Sequence, residues 1–273
     1  MKVVATYSIK GGVGKTSSAV NLAALAAAEG RRTLLWDLDP QAAATYLFRI
    51  RPKVKGGGKA LVRGRNPLIE AVKETDCVGL DLLPADFSYR NLDLALDGSK
   101  APTRRIRQLL DGIADHYDLV ILDCPPSASL VSENVIRAVD LVAVPLVPAP
   151  LSVRTLDQLI EFVDSVKGRP PTLLAFLSMV DRRKKLHRES AEALAHRPSV
   201  ARAVIPYAAA VELMGVTREP LVVSAPRSAP ARAYAELWAE VATRLDKDAE
   251  WRRIAWGAWR TSAYGRPFPP RPG

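Results

Sequence analysis

Lys10-Gly11-Gly12-Val13-Gly14-Lys15-Thr16 places two lysines and three glycines in seven residues, directly ahead of Ser17 and a long alanine-rich stretch. Glycines let backbone N–H groups converge on an anion, and a helix N-terminus behind them adds its positive dipole end. In that arrangement Lys15 neutralises the β- and γ-phosphates of a nucleotide, and the Thr16 hydroxyl is placed to ligate Mg²⁺. The general phosphate-loop pattern has glycine where this sequence has Ile9, and Lys10 is an additional cation. Two such cations in one loop repel unless a polyphosphate lies between them or one of them points elsewhere.

Carboxylates complete the set. Asp37-Leu38-Asp39-Pro40-Gln41 follows an apolar run, and a period of two puts Asp37 and Asp39 on one side of the chain. Like charges so close call for a cation or an ordered water. Leu119-Val120-Ile121-Leu122-Asp123 ends a second apolar run in an acid, the pattern of a carboxylate that reaches Mg²⁺ through water. His116, His187 and His196 are scattered and fit no metal or triad spacing, so surface or capping roles are expected for them. With no nucleophile or acid–base set for a second substrate, the pattern suggests a switch and not a transferase.

These residues need a scaffold, and the sequence supplies one. Apolar runs Val3–Ser8, Thr33–Asp37, Leu80–Pro84, Leu119–Asp123, Leu141–Pro145 and Thr172–Ser178 read as strands. Helical segments Lys15–Glu29, Thr103–Asp115, Val131–Val139, Ser152–Val166 and Ala229–Asp246 fall between or after them. Continuous apolar strands separated by helices imply a mostly parallel sheet covered on both faces, a doubly wound α/β fold of the P-loop type. Ligands of such folds sit beyond the carboxyl ends of the strands, where the motifs above fall. The Gly-rich run Lys55–Lys59 reads as an inserted loop. Residues 1–246 are expected to form one domain carrying these motifs, and 247–273 a basic extension containing tryptophan and proline.

Composition fits a globular protein: 273 residues, 48% hydrophobic and 25% charged. No apolar window is long enough for a membrane span, and Lys2 with the short stretch before Gly11 does not make a signal peptide. Cys77 and Cys124 cannot build a disulfide framework, so a reducing cytoplasm is the expected location. The net charge of +10 is local: Arg51–Arg65 carries six cations, Arg182–Arg188 five and Trp251–Gly273 five, with no acid inside any of these runs. Patches of this kind meet a polyanion, nucleic acid ahead of an acidic membrane surface.

The K-G-G-V-G-K-T loop and the D-L-D-P-Q and D-C-P-P-S segments resemble those of the ParA/MinD family of deviant phosphate-loop ATPases, closest to ParA/Soj-like partitioning proteins. The resemblance spans about Val3 to Leu245. It implies that Lys10 reaches across an ATP-sandwich homodimer to the partner's phosphates, that Asp39 orients the attacking water, and that Asp37 supports the magnesium shell. It also implies Met179 and Pro206 beside the adenine, and nonspecific DNA contacts by the cluster Arg182, Arg183, Lys184 and Lys185. The function implied is an ATP-dependent dimerising switch that positions or segregates DNA or another cargo on the nucleoid, with hydrolysis stimulated by a ParB-like or other adaptor. The alternative is a MinD-like switch on an anionic membrane. The sequence departs from the family at Ala42-Ala43, where many relatives have Gly-Asn, and at Tyr207-Ala208, where they often have arginine and a polar residue. Arg51–Arg65 or the tail is a candidate to replace that basic contact.

Overall fold

The structure is a computed structural model, and it describes residues 1–65, 67–166, 168 and 170–246. Its eight strands are β1 (Lys2–Thr6), β2 (Thr33–Asp37), β3 (Lys73–Glu74), β4 (Leu80–Leu83), β5 (Leu119–Asp123), β6 (Leu141–Leu146), β7 (Thr172–Val180) and β8 (Val200–Pro206). They form one sheet in the order β3-β4-β2-β5-β1-β6-β7-β8. All the pairings are parallel except that of β3 with β4 at the edge.

Alternate residues of each strand enter different cores, which is why the strand sequences are apolar without a break. Val3, Ala5, Leu34, Trp36, Val120 and Leu122 face one side. There α5 (Arg105–Asp111), α6 (Leu130–Ala138) and α7 (Pro150–Ser165) cover them, with Leu156, Leu159 and Val163 fully buried. Val4, Leu35, Ile121, Leu174 and Phe176 face the other side. They meet the small alanines of α1 (Lys15–Ala28) and the Tyr234, Leu237 and Trp238 side chains of α12 (Ala229–Asp246). β1 lies between β5 and β6, and the chain leaves these strands in opposite directions. The loops after β1 and β6 therefore diverge and open a crevice at the carboxyl rim.

Two expectations need correcting. Lys55–Lys59 is not all loop: Gly57 opens a short helix, α3 (Gly57–Arg63), which follows α2 (Ala43–Leu47). Its glycines serve packing as well as turning. A Cβ on Gly58 would stand 3.0 Å from Tyr89 and 3.1 Å from Leu92. The second correction is β8, an edge strand not among the expected runs. Its exposed Arg202 and its irregular register with β7 break the apolar pattern. Shorter helices complete the described chain: α4 (Leu92–Asp97), α8 (Lys185–Ala195), α9 (Ala209–Glu212), α10 (Met214–Thr217) and α11 (Leu221–Ser224). The expected extension 247–273 lies outside the described residues.

Candidate functional site

The glycine loop joins the end of β1 to α1 at the centre of the sheet. Gly12 has φ +68° and Gly14 φ +93°, left-handed backbone that side chains with a Cβ adopt only under strain. Gly14 is constrained twice, because a Cβ there would lie 2.8 Å from Ser178 Oγ. The Gly14 carbonyl accepts from both the N–H (3.0 Å) and the Oγ (2.7 Å) of Ser18, which fixes the first turn of α1. Lys15 is buried, and its Nζ donates to the Lys10 carbonyl at 3.2 Å. Desolvation lowers its pKa, opposed by the charges of Asp123 and Asp39. An ammonium so placed gains by exchanging a neutral carbonyl for a phosphate oxygen. Lys10 differs: it is exposed, and its ammonium has no hydrogen bond or ion pair among the described residues.

Strand register sets the acids side by side. Thr6 pairs with Asp123 across β1 and β5, and Asp37 pairs with Asp123 across β2 and β5. Both carboxylates are buried, yet their hydrogen bonding differs sharply. Asp37 Oδ2 accepts from the Thr45 N–H (2.8 Å) and Thr45 Oγ1 (2.7 Å), and Oδ1 accepts from the Asp39 N–H at 3.2 Å. Burial still pushes its pKa up to about 6, against the pull of those bonds. Asp123 Oδ1 has a long contact from Thr6 Oγ1 at 3.5 Å, and Oδ2 accepts no hydrogen bond of normal geometry among the described residues, although the Thr16 hydroxyl lies close enough to help lower the pKa of the carboxyl. Burial raises this carboxyl well above the usual range, and the Asp37 charge adds to that effect.

A buried carboxylate oxygen without a partner is costly unless a cation or donor meets it. Mg²⁺ needs only one or two protein oxygens beside phosphate oxygens and water. Thr16 and Asp123 are the residues that would hold it, Asp123 through water. Asp37 lies beside Asp123 in register, and its own oxygens fasten the segment that follows β2.

That segment carries Asp39. Asp39 Oδ1 accepts from the Gln41 N–H at 2.9 Å, a turn that leads to Ala42, which has φ 57° and precedes α2. The family departure at Ala42 thus places an alanine where left-handed backbone favours glycine, a strain of roughly 1–2 kcal/mol. Thr45, which no sequence signal marked, ties α2 to Asp37 and accepts from the Ala85 N–H at 2.9 Å. The D-C-P-P-S run is anchored in a similar way. The Ser127 carbonyl accepts from both Tyr7 Oη and Ser132 Oγ at 2.5 Å. Cys124 is buried, and burial raises its thiol pKa, as expected of a packed residue.

Met179 and Pro206, expected beside the adenine, line one cleft with Gly14, Ser17, Ser178 and Tyr207. Met179 has φ +56°, which turns the chain at this point. Tyr207, noted from sequence as a departure, lines the cleft, and its hydroxyl donates to Glu212 Oε1 at 2.9 Å. Val211 and Glu212 also line it, and nothing in their sequence context marked them.

The cluster Arg182–Lys185 follows β7 at the same rim. Its four cations are exposed, but two have carboxylate partners: Arg183 pairs with Asp181 at 2.9 Å and Lys185 with Glu189 at 3.5 Å. His187 Nδ1 accepts from the Asp181 N–H at 3.0 Å, a capping role of the kind expected for the histidines.

A family model described as an AAA domain matches residues 1–175. The chromosome partitioning protein ParA of Caulobacter vibrioides is 33% identical over 253 residues, covering 89% of this chain and 95% of that protein. The sporulation initiation inhibitor protein Soj of Bacillus subtilis is 32% identical over 248 residues, covering 88% and 98% respectively. Among solved structures, a Mycobacterium smegmatis cobyrinic acid a,c-diamide synthase with bound ATP analogue and magnesium superposes with a TM-score of 0.72 at 26% identity. That match covers 98% of both chains.

Proposed function

The chain belongs to the ParA family of P-loop ATPases, and on that premise we propose that it is an ATP-driven switch that dimerises around nucleotide, binds DNA without sequence preference in the ATP state and positions a DNA or other cargo. The observation that carries the reading is the glycine loop set against the unpartnered Asp123 oxygen, a site for phosphates with a divalent cation.

Lys15 and the loop N–H groups hold the β- and γ-phosphates, and the cleft formed by Ser17, Met179, Pro206 and Tyr207 takes the base. Mg²⁺, held by Thr16 and Asp123, would neutralise charge on the phosphate oxygens. Asp39, on the turn tied to Asp37, orients the attacking water. Lys10 extends away from its own loop toward a partner's phosphates, the part an arginine finger plays in trans. A protein adaptor of ParB type stimulates hydrolysis and releases the DNA, which places the protein on the nucleoid in the cytoplasm.

Two other readings stay in view. A MinD-like membrane switch would work from the surface, since no helix among the described residues is long and apolar enough to cross a membrane. A synthase activity is suggested by the likeness to the synthase structure, but no second-substrate constellation accompanies the nucleotide site. Cosedimentation with duplex DNA and with anionic liposomes, each with ATP and ADP, separates these readings. ATP-selective pelleting with DNA supports the proposal. Pelleting with liposomes alone, or amide formation with neither, overturns it.

A further inference from the structure

The segment between α2 and β3 holds the largest group of unneutralised charge in the described chain. Arg51, Lys53, Lys55, Lys59, Arg63 and Arg65 are all exposed, and none has a carboxylate partner among the described residues. Arg49, just before them, is neutralised by Asp76 and Glu219, and half of the Arg182–Lys185 cluster is likewise paired. We propose that Arg51–Arg65 is a DNA-backbone contact surface, and that it contributes more of the phosphate contacts than Arg182–Lys185 does. This rests on the reading of the protein as a DNA-binding ATPase.

The cations are not on a loose loop. Val54, Leu61 and Val62 are buried in the core, Gly58 packs on Tyr89 and Leu92, and Lys59 and Arg63 point outward from α3. The Asp86 carboxylate accepts from the Val54 N–H at 2.8 Å and from Ser88, which fixes the segment, and the Lys53 charge nearby helps to lower its pKa. Preorganised cations lose less side-chain and backbone freedom on binding a phosphate strand.

Lys53 and Lys55 border a hollow of about 620 Å³ of open space, with Lys73 across it and Glu70 as the one acid on its rim. Lys53, Lys55 and Lys73 thus set three cations against the single carboxylate of Glu70 along this hollow, a balance that suits the phosphates of a nucleic-acid backbone.

The segment also connects to the nucleotide site. Val54 bonds to Asp86, the neighbouring Ala85 N–H bonds to Thr45 Oγ1, and Thr45 bonds to Asp37 at 2.7 Å.

The test uses the full chain with Mg·ATP, comparing K53Q/K55Q/K59Q/R63Q with R182Q/K184Q in duplex DNA binding across a salt series. Each lost phosphate contact removes about 0.9 from the slope of log affinity against log salt. The quadruple variant should lose about 3–4 in slope and at least about tenfold in affinity near 0.15 M salt. R182Q/K184Q should lose about 2 or less, and both variants should bind Mg·ATP as the parent does. DNA binding by the quadruple variant with the parent's slope and affinity overturns the proposal. So does retained DNA binding with lost affinity for polyglutamate, which would assign the surface to an acidic protein. If the unmodified chain binds no DNA in ATP, the functional reading itself falls, and this proposal with it.

Discussion

Substituting Asp123→Asn separates the cost of the site from its use. Asp123 is 1% exposed, its Oδ2 has no partner, and its neighbour in register, Asp37, is a second carboxylate. Without nucleotide, the aspartate is a buried group that Lys15 offsets only in part, and its ionised form costs roughly 2–3 kcal/mol of stability. An asparagine of the same shape removes that charge. For a domain of this size each kcal/mol moves the melting temperature by about 2–4 °C, so the nucleotide-free variant should melt roughly 4–12 °C above the parent. Mg·ATP reverses the order. A ligand at about a hundredfold over its Kd adds about 2.7 kcal/mol to the parent, and the variant, lacking the carboxylate that holds the ion, should gain almost nothing. Thermal melts of both proteins with and without Mg·ATP read out all four states. A variant that melts below the parent without nucleotide, or one that shows the parent's full Mg·ATP shift, would refute the assignment of Asp123 as an acid held in reserve for a cation.

Four further outcomes follow from single contacts. Gly14→Ala combines φ +93° with a Cβ 2.8 Å from Ser178 Oγ, and should lower ATP affinity by at least about tenfold in a fluorescent-nucleotide titration; parent affinity would show that the loop tolerates the side chain. Lys10→Ala should bind ATP as the parent does yet sediment as a monomer, and an ATP-dependent dimer would remove its proposed role in trans. Thr45→Val deletes the hydroxyl that joins Asp37 to the Ala85 N–H, so urea unfolding should show a loss of roughly 2–4 kcal/mol; a change under about 0.5 would mean that neither bond matters. Hydrogen bonds from Arg32 hold the exposed Asp118 carboxyl at a pKa of about 2. A depressed carboxyl adds stability above the unfolded value near 4 and loses it as pH falls toward 2, so Asp118→Asn should be slightly less stable than the parent at neutral pH, show a flatter acid limb in an unfolding titration, and converge with the parent as pH falls toward 2.

What was legible in the sequence divides along physical lines. Strands buried on both faces must be apolar at every position, so β2, β5 and β6 were readable, as was the acid that ends β5. β8 escaped because an edge strand with Arg202 in water does not obey that rule. The glycines of Lys55–Lys59 were taken for a loop, since composition does not distinguish a glycine that turns from one that lets Tyr89 and Leu92 approach. Thr45 was invisible for a similar reason: a threonine in a short helix acquires meaning only when the fold sets Asp37 against it. Met179 and Pro206 are legible only through resemblance, and they line one cleft with Ser17.

Charge is the instructive case. Arg51–Arg65 and Arg182–Arg188 look alike as runs of cations without an acid. The boundaries of the second run hide its compensation, because Asp181 lies one residue before it and Glu189 one residue after, and the fold folds both back onto it. The first run has Asp86 near Lys53 and Glu70 beside the hollow, but no ion pair forms to either among the described residues. An exposed cation that already holds a carboxylate must give up that partner to meet a phosphate, and counterion release is then partly cancelled. Two runs with similar numbers of cations therefore differ in what they offer a polyanion, and the difference lies in which acids the chain pairs with each.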